Sequence, residues 1–166
     1  MANVRYEYEL YPPMAEWLRV QLMDKYKRQR CSIEVVDSHS VTLDSVLQAQ
    51  GVLSDYPQTV GLDIQIDVLG IVKLERRSEI YFIEAKKTPL NLHDLGQLWA
   101  YCRLCNPAGA YLLSSAGLGS LDKILRNYQR EDMLDFGPQR IIKKMVVAKW
   151  DILRNELDYN SVVPRM

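Results

Sequence analysis

Hydrophobic residues recur along this chain in two rhythms, and each change of rhythm marks an element. After Pro12-Pro13, a pair tolerated only in a first turn, Met14, Trp17, Leu18, Leu22 and Tyr26 recur at helical spacing and predict a helix. Residues 32–36 (SIEVV) predict a short strand, and 44–50 a helical piece stopped by Gly51. Residues 59–74 are rich in β-branched side chains, alternate in part, and predict a long strand; 79–86 predict another. The polar residues 75–78 between them are short enough for a hairpin. Asn91 is a good N-cap with Asp94 in the first turn, predicting a helix to about Cys105 that Asn106-Pro107 stops. Its buried side is expected to carry Leu95, Leu98, Trp99 and Cys102. Residues 110–114 predict a buried strand, Ser120 a helix ending near Gly137-Pro138, and the apolar stretch 141–153 a strand at its start. The order α-β-(α)-β-β-α-β-α-β predicts one mixed α/β domain over residues 1–166.

Composition narrows the choices only slightly. At 166 residues, 48% hydrophobic and 25% charged, the chain can bury a full core. Lys+Arg and Asp+Glu number 21 each, so overall charge does not draw the protein to nucleic acid and any basic surface is local. The local runs are Lys25, Lys27, Arg28 and Arg30, then Arg140, Lys143 and Lys144. No apolar run reaches the roughly 20 residues of a membrane span, and the start of the chain lacks the pattern of a secretion signal, so a cytoplasmic protein is expected. Three cysteines make no disulfide framework. Cys102 and Cys105 end an apolar helical stripe and are expected to be buried thiols rather than zinc ligands.

The candidate chemistry lies in a spaced set: Asp67, Glu84-Ala85-Lys86, and Gln97 with Tyr101 four residues on. Side chains alternate along a strand, so Glu84 and Lys86 share a face and Ala85 takes the other. A tight turn at Arg76-Arg77, pairing Glu75 with Ser78, would set Asp67 opposite Lys86 and Leu69 opposite Glu84, all on that face. A slip of one residue would send Asp67 to the wrong side. Gln97 and Tyr101 share one face of the following helix, with His93 a turn back on about the same stripe. Two carboxylates suit a hard divalent cation, and a lysine beside them suits a phosphate. Asp63 is a rival first acid, four residues earlier on the predicted strand. The plain alternative is a salt-bridge cluster on a sheet surface. A further lone G-x-G, Gly117-Leu118-Gly119, is expected to be a turn rather than a phosphate cradle.

At Ile66-Asp67-Val68, Ile83-Glu84-Ala85-Lys86 and Gln97-x-x-x-Tyr101 the chain resembles the PD-(D/E)XK nuclease superfamily. The phrase IDVLG followed by a strand ending in EAK is similar to Mrr-like restriction endonucleases and archaeal Holliday-junction resolvases; the Gln/Tyr pair is similar to RecB-like and phage-exonuclease branches. The resemblance covers about residues 12–115, leaving 116–166 as an extension, and lacks the proline before the first acid. It implies a restriction-endonuclease-like αβββαβ core, a mixed sheet flanked by helices, and a Mg²⁺-dependent DNA endonuclease of restriction, repair or junction-resolving type, with Mn²⁺ able to substitute. Asp67, Glu84 and the Ala85 carbonyl would hold the metal, joined on the first helix by Glu16, which as plainly suits the helix dipole. Lys86 would serve the attacking water, and Gln97 and Tyr101 would position the lysine or a phosphate. Lys87, His93, Lys25 and Arg28 are the first residues to consider for nucleic-acid contact. DNA is the expected partner, RNA is not excluded, and two strands to cut suit a homodimer. The alternative is a non-catalytic nucleic-acid-binding or scaffolding module.

Overall fold

The structure, a computed structural model, describes residues 4–138 and 140–166. A short 3₁₀ turn (Glu7–Leu10) leads into α1 (Tyr11–Lys25), with Pro12 and Pro13 in its first turn. There follow β1 (Cys31–Asp37), α2 (Leu43–Ala49), β2 (Val68–Leu74), β3 (Ser78–Lys86), α3 (Leu92–Cys105) and β4 (Gly109–Ser114). A single turn, α4 (Ser120–Asp122), widens into a π-helical turn (Lys123–Asn127). The strands β5 (Asp135–Phe136), β6 (Lys143–Lys144), β7 (Val146–Asp151) and β8 (Glu156–Leu157) complete the chain.

Six strands form one curled mixed sheet in the order β1-β2-β3-β4-β7-β8, and β5 pairs with β6 in a separate ribbon. Strand β2 runs antiparallel to both β1 and β3, whereas β4 lies parallel to both β3 and β7. Strand alternation divides the core between the two faces. On one face Val68, Val72, Tyr81, Ile83 and Ala85 pack with Met14, Trp17, Leu18 and Leu22 of α1. On the other, Leu69, Ile71, Ile80 and Phe82 pack with Leu95, Leu98, Cys102 and Cys105 of α3. Gly70 marks where α1 comes closest to the sheet: a Cβ there would lie 3.0 Å from side-chain carbons of both Leu18 and Leu22.

The capping of α3 follows the expected scheme. The Asp94 amide donates to Asn91 Oδ1 at 3.0 Å, and Asp94 Oδ2 accepts from the Asn91 amide at 3.2 Å. Asn106 ends the helix in the left-handed conformation.

Four local expectations are corrected. The strand predicted over 59–74 begins only at Val68, because Pro57–Thr59 forms a 3₁₀ turn and Gly61 and Asp63 adopt positive φ. Asp63 is therefore an exposed loop residue and not a strand neighbour of Asp67. The helix predicted from Ser120 to near Gly137 breaks after Asn127: Gln129 takes a positive φ and Glu131–Leu134 re-forms as a 3₁₀ turn that buries Leu134. In the stretch 141–153, Ile141 and Ile142 are exposed and outside any strand, and the long strand is β7. Trp99 lies on the outer side of α3, 41% exposed, its indole N–H donating to the Asp135 carbonyl.

Cys102 and Cys105 are free and buried, as expected, and burial raises both thiols, Cys105 to about 11. The thiolate is the reactive form, so neither should alkylate in the folded protein at pH 8, whereas half-buried Cys31 should. Mass spectrometry after brief iodoacetamide treatment, native against denatured, checks this.

No described helix is long and apolar enough to cross a membrane.

Candidate functional site

Three chain segments meet at one end of the sheet: the end of β1, the entry to β2 and the end of β3. The hairpin register that brings them there differs from the predicted one by two residues. Lys73 pairs with Ser78 and Leu74 with Arg77, so the turn residues are Glu75 and Arg76 and not Arg76 and Arg77. Val68 faces Ile83, and continuing the ladder sets Asp67 opposite Glu84 instead of Lys86. A shift of two preserves parity, so Asp67, Glu84 and Lys86 still emerge together, on the α3 side. Ala85 points into the α1 core.

Asp67 is held from several directions. Its Oδ2 accepts from the Ala85 amide at 2.9 Å, and its backbone carbonyl accepts from the Ser38 amide at 3.1 Å. The buried Ser38 hydroxyl donates to the Ile66 carbonyl at 2.5 Å, fastening the end of β1 to the strand entry. The Tyr11 hydroxyl reaches the Asp67 carboxylate from the start of α1. Because the N–H and C=O of an extended residue leave on the same side, the Ala85 carbonyl also faces the β2 side.

Glu84 is only 6% exposed, and its carboxyl lies against that of Asp67. Its Oε1 is buried with no hydrogen-bond partner. Burial first, and the Asp67 charge second, push Glu84 well above the usual carboxylate range; nearby Lys86 opposes them. Burial likewise raises Asp67, against the lowering effects of the Ala85 amide, Tyr11 and Lys86. Two adjoining carboxyls, one buried with an orphaned oxygen and the other half-buried, form a donor set that Lys86 only partly offsets.

Among the described residues, no group of three or more His, Cys, Asp or Glu side chains gathers as a metal site. The donors are two carboxylates and the Ala85 carbonyl side. That set fits Mg²⁺, which binds through one or two carboxylates and keeps several waters.

The remaining candidates divide. Lys86 sits 4.0 Å from Asp94 Oδ1, so Asp94, expected only to favour the helix start, also faces the lysine. Gln97 and Tyr101 do form a pair, Nε2 donating to the hydroxyl at 3.2 Å, with Tyr101 half-buried against the α3-side core. Among the described residues neither hydrogen-bonds Lys86, Asp67 or Glu84. His93 is exposed on the first turn of α3. Lys87 ties the end of β3 to the N-terminal turn, its amide donating to Glu7 Oε2 and its Nζ to the Arg5 carbonyl.

Glu16 does not join the carboxylate pair: it is exposed and bonded to Arg19 at 2.6 Å. The acid facing the site from this end of the chain is Glu7, whose charge acts on Tyr11. It lay outside the predicted helix and gave no periodic signal.

Lys25 and Arg28 lie at the opposite end of the sheet. The chain leaves α1 there to enter β1 at Cys31, which pairs with Leu74 beside the hairpin turn. Seven residues of β2 separate that end from Asp67, about 20 Å at strand rise, so these two cations do not serve the carboxylates directly.

No protein-family model, curated protein or solved structure matches the chain.

Proposed function

We propose that this protein is a Mg²⁺-dependent deoxyribonuclease, an endonuclease built on a restriction-endonuclease-like core. The single observation that carries the proposal is the adjoining Asp67–Glu84 pair, Asp67 half-buried and Glu84 buried with its Oε1 unpartnered, and with Lys86 on the same face. Structural ion pairs neutralise one another; this pair adjoins like charge to like, and among the described residues neither carboxyl forms a salt bridge, Lys86 acting on both only through its charge. The element order α1-β1-α2-β2-β3-α3-β4, with three antiparallel strands and then a parallel one, supports an αβββαβ core into which α2 is inserted between the first two strands.

In this proposal Asp67, Glu84 and the Ala85 carbonyl hold the cation. A bound Mg²⁺ would acidify water and offset charge developing on the scissile phosphate. Lys86, held at the mouth of the pair by Asp94, orients the attacking water and faces the phosphate oxygens. Water oxygen bonds to phosphorus as one phosphorus–oxygen ester bond breaks, and the departing sugar oxygen takes up a proton to leave as a hydroxyl, balancing the one lost by the water. Gln97 and Tyr101 line the α3 wall, where they meet the backbone of the substrate rather than the lysine. A two-fold dimer would present one site to each strand.

The test is nicking of supercoiled plasmid with and without Mg²⁺, extended to linear, branched and single-stranded DNA, RNA and Mn²⁺. Lys86→Ala is expected to lower the rate by about 10²–10³-fold. Absence of metal-dependent cleavage on every substrate would overturn the proposal. Binding without cleavage would favour a non-catalytic nucleic-acid-binding module.

A further inference from the structure

Beside the carboxylate pair, at the end of β1, stands a second assembly that the proposed chemistry does not use. Asp37 is the last residue of β1 and pairs with Val68, the first of β2. Its Oδ1 lies 2.5 Å from His39 Nδ1 and also accepts from the His39 amide at 3.2 Å. The imidazole packs on the Tyr11 ring, centroids 5.0 Å apart. Tyr11 in turn reaches Asp67. Ser38, between the two, is buried and fastened to both Ile66 and Asp67. His39 thus follows a buried, fastened Ser38, and its own side chain stays 43% exposed.

We infer that His39 binds a nucleic-acid phosphate next to the one held at the carboxylate pair, donating through Nε2. This rests on the nuclease proposal above. Three observations support it. With Asp37 taking the Nδ1–H, the imidazole is oriented and Nε2 is the edge left for a ligand. Asp37 and a phosphate would be the acceptors at the two ring nitrogens, an arrangement that a ring carrying both protons serves. Finally, Asp37 pairs with Val68 and the Ser38 amide donates to the Asp67 carbonyl, so His39 is the residue next beyond the position opposite Asp67. A backbone running across the strand ends would place a phosphate near Glu84 and Lys86 and bring its neighbour towards His39.

Two substitutions separate ligand contact from scaffolding. The His39→Gln amide nitrogen falls near Nε2, whereas the His39→Asn amide nitrogen falls near Nδ1 and retains only the Asp37 contact. Binding of a labelled DNA duplex and the matching single strand is measured in Ca²⁺, and cleavage by the wild type in Mg²⁺.

The expected result is about tenfold weaker binding for the Asn variant, most of that loss recovered by the Gln variant, and unchanged melting temperatures in both. The dependence of log affinity on log salt should also fall by about one phosphate contact in the Asn variant alone. Equal binding by all three proteins would overturn the inference, as would equal losses in the two variants or losses that track melting temperature. Wild-type binding without cleavage, with the Asn and Gln variants separated as described, would leave His39 in this role and sink only the nuclease proposal. Cleavage with indifferent His39 variants would do the reverse, and a wild type that binds neither probe would overturn both.

Discussion

Glu84→Gln is expected to abolish metal-dependent cleavage and to make the protein more stable. The loss should reach about 10²–10³-fold, since a neutral amide no longer offers the cation a charged oxygen. The gain has a separate cause. Glu84 is buried against Asp67 with one oxygen unpartnered, and removing a buried, unpaired charge relieves about 2 kcal/mol. For a chain of this length that raises melting by roughly 5 °C. The sign with pH follows from the raised Glu84 value. The protonated form is the one the folded site favours, so its stabilisation is full below the ordinary carboxylate range and is lost as pH rises through the raised folded-state value. Melting curves in chelator should therefore show little difference between variant and wild type near pH 5 and a growing advantage for the variant toward pH 8. Added Mg²⁺ should stabilise the wild type and leave the variant unmoved. A variant less stable than wild type at pH 8 would contradict the electrostatic account of the site.

Gly119→Ala should cost about 3 kcal/mol and lower melting by roughly 10 °C, the largest stability loss expected of a single added methyl. Gly119 has φ +52°, and a Cβ there would lie 2.4 Å from the Leu90 carbonyl oxygen and 2.9 Å from Pro89 Cβ. Both neighbours are tied down. The Leu90 amide donates to the Gly117 carbonyl at 3.2 Å, and the Ser114 hydroxyl donates to the Thr88 carbonyl at 2.6 Å. The G-x-G turn thus pins the segment between Lys86 and α3, and it is a structural turn. Gly117→Ala is the control: its φ is +98°, yet the nearest atom to an added Cβ is a lysine carbon 4.0 Å away, so about 1 kcal/mol is expected. Thermal melting of the two variants side by side checks both values.

Much of this site was readable because strand chemistry is periodic. Alternation alone places Glu84 and Lys86 together, and Asp67 stays with them although the turn falls one residue earlier than expected, because the pairing shifts by an even number of residues. What stayed illegible was whatever depends on non-local packing. The π-helical turn after Asp122, the exposure of Trp99 against the Asp135 segment, and the approach of Glu7 to Lys87 are all set by partners distant in sequence. Glu16 illustrates the limit: its helical position suited a ligand, and the side of the sheet on which α1 packs decided otherwise. Asp37 and His39 carried no motif; they acquire significance only because β1 ends beside β2.

The two-residue turn at Glu75–Arg76 also has an evolutionary consequence. It lies a full strand length from the carboxylates, with its side chains in solvent, whereas the opposite end of the hairpin is clamped by Ser38, Ala85 and Tyr11. Insertions or deletions along the hairpin should therefore be absorbed at the turn, by lengthening the loop or slipping the outer pairs, while the face presented by the clamped end is preserved. Related chains should accordingly vary in length around residues 75–76 and remain constant in spacing from Ile66 to Val68 and from Ile83 to Lys86.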